Sequence, residues 1–202
     1  MVSPKPMKID FVSDVSCPWC IIGLCGLEEA LARTGDLIAP DITFQPFELN
    51  PHMGKDGQNI GEHVAEKYGS SPEQSQANRA MIRDRAADLG FTIAMSDSSR
   101  IYNTFDADRL LHWAQLEGKQ AALKHALFNA YFTDQRDPSD HGVLIGASAK
   151  AWLDPARREE FVFWHSASGS SARFCPIPFN PKPGRLRSPA GKRVCDAKNS
   201  IL

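Results

Sequence analysis

The chain has 202 residues, 42% of them hydrophobic and 23% charged, with a formal net charge of −1. That is enough for one sizeable domain, or a small domain with a large insertion, and enough apolar material for a real core. The near-neutral balance excludes a broad basic field for nucleic acid or membrane, no window approaches the roughly 20 apolar residues of a membrane span, and Met1 to Lys8 is followed by no signal-length apolar run, so the expected location is cytoplasmic.

Residues 7–12, Met-Lys-Ile-Asp-Phe-Val, alternate apolar and polar and predict a first strand. Pro18 suits the first turn of a helix, where its missing N–H costs nothing; that helix runs to about Arg33, with Gly35 as its stop. Residues 42–49 read as a second strand, with Pro46 pointing to an edge or a bulge. The order strand, helix, strand is followed from about 58 to 153 by helices. The first ends near Tyr68-Gly69, and the next runs from Pro72 to Leu89-Gly90. Asn103 or Thr104 caps a third, whose Ala107, Leu110, Leu111 and Ala114 fall on one face. Leu123, Ala126, Leu127, Ala130 and Tyr131 repeat that spacing, and Asp140 opens a last helix through Val143, Leu144 and Ala147. These stripes are read as core.

After about Glu160 the composition changes. Residues 160–202 hold seven Lys or Arg against two Asp or Glu, a net +5, which leaves −6 for the preceding 159 residues. Five prolines, three glycines and six serines resist helices and central strands, and only Phe161-Val162-Phe163-Trp164 looks strand-like. The tail is either a flexible basic extension or the product of a changed reading frame.

The chemistry concentrates in Cys17-Pro18-Trp19-Cys20. With a helix starting at Pro18, Cys17 is its N-cap and Cys20 lies about one turn on, so the two sulfurs face each other within disulfide reach. The open N–H groups of a helix start favour a thiolate, which predicts Cys17 as nucleophile with a lowered pKa and Cys20 as resolving thiol. Pro18 and Trp19 are candidate substrate contacts, Trp19 offering a flat apolar face. A zinc site would need two more ligands. The chain has no second CxxC, Cys175 and Cys195 are far apart in sequence, and His52 and His63 are scattered, so no metal is assigned. Two inert buried cysteines are the remaining alternative. Cys25 lies about 140° around the helix from Cys20 and is read as core. With five cysteines, at least one thiol has no internal partner.

The stretches IDFVSDVSCPWCIIGLCGLEEAL, FQPFELNPHM, NTFDADRLLHWAQLEG and HALFNAYFTDQRDPSDHGVL resemble, in order, the FrnE-type branch of the DsbA-like thioredoxin-fold oxidoreductases. The similarity runs from about residue 7 to about 154. It implies an α/β fold: a thioredoxin-like βαβ part over 7–54, an all-helical insertion over 55–155 and an atypical basic tail over 156–202. It places Cys17 and Cys20 at the catalytic positions of a thiol-disulfide oxidoreductase, with protein thiols or disulfides as substrates, glutathione as a possible co-substrate, no organic cofactor and a possible homodimer. Two other functions stand beside it. One is a non-catalytic, client-holding module; the other is a glutathione-dependent isomerase of the hydroxychromene-carboxylate type, whose serine nucleophile is here Cys17. The chain departs from the family at Asp108, where a histidine is usual. It departs again after residue 155, where the Val-Pro segment with its cis proline and the closing strands are expected and only Ile177-Pro178-Phe179 echoes them.

Overall fold

The computed structural model describes residues 3–154. The expectations for the tail, its strand and its proline segment all lie outside these residues.

Strands β1 (Lys5–Ser13) and β2 (Ile38–Pro46) run parallel, with Lys5 opposite Ile38, Phe11 opposite Phe44 and Ser13 opposite Pro46. Parallel neighbours need a crossover, and helix α1 (Pro18–Thr34) supplies it. Pro18 stands in its first turn, and Gly35 ends it at a φ of 52°, a conformation that strains any residue with a Cβ. A 3-10 turn, Gly35–Leu37, then leads directly into β2. This corrects the expected span of the second strand, which starts at Ile38 instead of 42 and ends at Pro46 instead of 49. Pro40 and Asp41 obscure its first half to any propensity reading. Pairing with β1 creates it nonetheless, and among the described residues β1 is its one partner, so its prolines break no second ladder.

The remainder is helical: α2 (Ile60–Tyr68), α3 (Pro72–Asp88), α4 (Phe105–Leu116), α5 (Gln120–Phe128) and α6 (His141–Lys150). Asn59 caps α2 through Gly61 and Glu62, Ser71 and Gln74 form a reciprocal capping box on α3, and Asp140 caps α6 through Val143. At α4 the N-cap is Thr104, but the side chain that binds the open N–H of Phe105 is that of Asn103, at 3.0 Å. Strands β3 (Gln58–Asn59) and β4 (Arg100–Ile101) form a two-residue antiparallel pair inside the helical part, too short for a sequence signal. Helix α5 widens at its end into a π-helical turn, Asn129–Thr133.

Two hydrophobic cores result. One joins Val15 to the stripes of α4, α5 and α6, with Ala107, Leu110, Leu111, Leu123, Leu127 and Leu144 all buried. The other joins Ile21 and Leu24 of α1 to Phe44, Ala86, Phe128 and Phe132. Phe11 meets Phe44 edge-on, with ring centroids 5.7 Å apart. Gln120 ties the helical part to the sheet: its side-chain amide accepts the Phe44 N–H at 2.9 Å and donates to the Phe44 carbonyl at 2.8 Å.

Candidate active site

At the end of β1 the chain turns inward, and Ser13, Asp14, Val15 and Ser16 are all buried. Asp14 organises the turn. Its carboxylate accepts the backbone N–H and hydroxyl of Ser16 at 2.8 and 2.9 Å, and its other oxygen accepts the N–H of Leu49 at 2.7 Å. Cys17 N–H donates to the Asp14 carbonyl at 3.3 Å and Cys20 N–H to the Cys17 carbonyl at 3.0 Å. Cys17 is thereby held as the N-cap of α1, its backbone extended at φ −90° and ψ 114°. The sulfur lies close enough to the amides of Trp19 and Cys20 to be favoured as an anion, without a formal capping hydrogen bond.

Both thiols are free and half-buried, and they hydrogen-bond to each other, so after the first ionisation the pair shares its remaining proton. The first proton leaves easily. Cys20 falls from 9.0 to about 7, chiefly because the Cys17 thiol donates to it; the Asp14 N–H and the charge of Lys124 add to this, against burial. Cys17 is pushed up, first by that same hydrogen bond, then by burial and by repulsion from the Cys20 anion. The lowered first ionisation belongs to the coupled pair as a whole, and within it the Cys20 and Trp19 amides of the helix start favour the Cys17 thiolate.

Three buried ionisable groups back the pair. Lys124, on α5, is completely enclosed, with its ammonium 4.8 Å from the centre of the Phe128 ring and 3.5 Å from the Ser13 carbonyl. Asp108, on α4, is buried with neither carboxyl oxygen hydrogen-bonded. Asp14 completes the set. Burial lowers the Lys124 pKa, while the acids and thiolates around it resist the shift; burial raises Asp108 well above the usual carboxylate range, and Lys124 opposes that. Tyr68 at the end of α2 is exposed, its pKa pushed up by partial burial and then by the charge of Cys17. Lys67 beside it binds the Leu49 carbonyl and Asn50 side chain at 3.1 and 2.7 Å. Glu48 is raised by burial and by Asp14.

Of the residues singled out in the sequence, Pro18 is half-buried and Trp19 exposed beside the sulfurs. Cys25 packs against the second core, as its helix angle predicts. His63 is engaged with Gln58 at 2.8 Å. Among the described residues no three His, Cys, Asp or Glu side chains converge as metal ligands, and no helix is long and apolar enough to cross a membrane. Lys124 escaped the sequence reading although the signal was there: with Gln120, Leu123, Leu127 and Phe128 it falls on the buried stripe of α5.

A parallel βαβ unit with paired cysteines opening its crossover helix, followed by a helical insertion, defines the thioredoxin-like class. Within it, the chain belongs to the family of DsbA-like thioredoxin domains, whose profile matches residues 8–165. It is 32% identical to a probable DsbA oxidoreductase of Streptomyces coelicolor, with a TM-score of 0.72 over 77% of this chain and 67% of that one. A 2-hydroxychromene-2-carboxylate isomerase shares the fold, with a TM-score of 0.54 at 17% identity over 77% of this chain and 71% of that one. The Bacillus subtilis protein YwbO is 24% identical over 150 residues, 74% of this chain and 68% of its own.

Proposed function

We propose that the chain is a thiol-disulfide oxidoreductase of the FrnE-type branch, cycling Cys17 and Cys20 between dithiol and disulfide. Protein thiols or disulfides are its substrates and glutathione is a small-thiol partner. The observation that carries this is the pair of free, half-buried sulfurs set together at the start of α1, Cys17 as its N-cap and Cys20 in its first turn. Cys17, as the N-cap of α1, has the amides of Trp19 and Cys20 to hold its thiolate during attack, and Cys20 has the Asp14 amide and the charge of Lys124. Cys17 therefore meets the substrate. Its proton passes to Cys20 across the sulfur–sulfur contact, its thiolate attacks one sulfur of a substrate disulfide, and a substrate thiolate leaves. Cys20 then loses that proton and attacks Cys17, closing the internal disulfide and releasing the second thiol. Pro18 and Trp19 border this exchange.

The test is mass analysis with thiol counting after equilibration in glutathione buffers. Wild type is expected to convert between a form with two more titratable thiols and one with two fewer, Cys20→Ser to accumulate a mixed disulfide on Cys17, and Cys17→Ser to lose insulin reduction and dithiol oxidation. Undiminished turnover by Cys17→Ser would remove the mechanism.

A further inference from the structure

The parallel pair of strands has two outer edges, and the helical part closes one of them. On β2 the outward N–H and carbonyl of Phe44 are both taken by the Gln120 side chain. On β1 the Ser13 carbonyl accepts the Phe47 N–H at 3.3 Å, so the odd-numbered residues turn their backbone groups toward β2. The alternation turns the N–H and carbonyl groups of Lys8, Asp10 and Val12 toward the other edge, where among the described residues β1 has no second strand. The side chains of Lys8, Asp10 and Val12 are exposed as well. A strand edge with regularly spaced donors and acceptors is a template for a further strand.

We propose that this edge of β1 is the interface for a second copy of the chain, the two strands joined antiparallel about a two-fold axis at Ile9. Directly opposed residues of an antiparallel pair share a face, so in a two-fold arrangement odd positions meet odd and even positions meet even. An axis at Lys8 sets Lys8 against Lys8, and an axis at Asp10 sets Asp10 against Asp10. The axis at Ile9 sets Lys8 against the partner's Asp10 on one face, twice by symmetry, and Met7 against the partner's Phe11 on the other. Opposite charges and apolar side chains then oppose each other throughout the centre of the ladder.

The backbone fits this register. Lys8 and the partner's Asp10 are pairs that exchange both their hydrogen bonds, and Pro6, with no N–H, ends the ladder on either side. The Asp10 carboxylate accepts from Gln45 through one oxygen, at 2.9 Å, which leaves the second for the incoming ammonium. Lys8 lies opposite Asp41 of its own chain, so in the dimer its ammonium stands between two carboxylates. The strand-like run of the tail, Phe161-Val162-Phe163-Trp164, has no charge to set against Lys8 or Asp10 and matches this edge less well than β1 itself. Neither Cys17 nor Cys20 takes part, so the interface stands or falls independently of the redox reading.

The experiment is sedimentation of the full chain over a range of protein concentrations, under reductant so that no disulfide links the copies. Wild type is expected to pass from monomer to dimer as concentration rises. Lys8→Asp or Asp10→Lys alone creates like-charge pairs on both sides of the axis and is expected to raise the dissociation constant about tenfold or more. The double variant Lys8→Asp/Asp10→Lys opposes unlike charges again and is expected to recover the association of wild type. Should the variants fail to fold, amide exchange of wild type decides: the Lys8 and Asp10 amides are expected to be fast in the monomer and to slow as the dimer forms. A monomer at every concentration, a dissociation constant indifferent to both single variants, or a double variant no better than the singles would overturn the interface. So would Lys8 and Asp10 amides already slow in the monomer, which would mean that a segment of the same chain fills the edge.

Discussion

Replacing Cys17 by alanine removes the hydrogen bond that contributes most to the acidity of Cys20. In the intact dithiol Cys20 falls from 9.0 to about 7, with the Cys17 thiol as the largest cause. Burial works in the opposite direction and stays when Cys17 is gone, leaving the Asp14 amide and Lys124 to oppose it. Cys20 in Cys17→Ala is therefore expected to titrate above its midpoint of about 7 in the intact dithiol. At pH 7 its thiolate fraction drops below about half, and its alkylation by iodoacetamide slows by up to about tenfold for each pH unit the midpoint rises. Rates are measured from pH 5 to 10 by mass spectrometry of the peptide carrying Cys20, alongside thiolate absorbance near 240 nm. The reciprocal substitution, Cys20→Ala, removes from Cys17 the influence that most raises its pKa, so Cys17 is expected to become more acidic. An unchanged Cys20 midpoint in Cys17→Ala would refute the shared proton, since no other group in the site is altered.

Three further outcomes follow from the same structure. The reduced protein is expected to gain stability between pH 7 and 9, because Cys20 is depressed on folding and its contribution is lost as pH falls through about 7. The gain reverses above 9, where the unfolded Cys17 ionises and the buried one resists ionising. Urea unfolding of the reduced wild type against a Cys17→Ser/Cys20→Ser double variant measures it. Gln120→Leu leaves the N–H and carbonyl of buried Phe44 without partners and is expected to cost about 2–6 kcal/mol in urea unfolding, with Gln120→Glu, which can still accept but not donate, losing about half of that. Gly57→Ala meets a φ of 64° and places a Cβ 2.4 Å from the Ile101 carbonyl oxygen, so β3 and β4 must part. A loss of about 1–3 kcal/mol, with faster amide exchange at Gln58 and Ile101, is expected.

Much of the fold was legible because its signals are local. Pro18 and Gly35 bracket α1, Asp140 opens α6, and the stripes at 107–114 and 123–131 are buried as their spacing requires. The first half of β2 was not, because a long-range partner creates it against the preference of Pro40 and Asp41. The position of both cysteines in the first turn of α1 could be read directly; their electrostatics could not. A helix start predicts an acidic Cys17, but the outcome depends on Cys20 as a neighbour and on Lys124 and Asp108, brought beneath the sulfurs from helices about a hundred residues away in sequence. Lys124 and Asp108 lie among apolar neighbours on buried helix faces, and only packing reveals that those faces enclose ions.

The dithiol also occupies a mechanical position. Val15, two residues before Cys17, is rooted in the core built by α4, α5 and α6, whereas Ile21, immediately after Cys20, is rooted in the core shared by α1, α3, β2 and the end of α5. The few residues between these two anchors are the CxxC turn itself. Buried packing thus fastens the sulfur pair on both sides, and the spacing of Cys17 and Cys20 is set by the body of the domain rather than by a free loop.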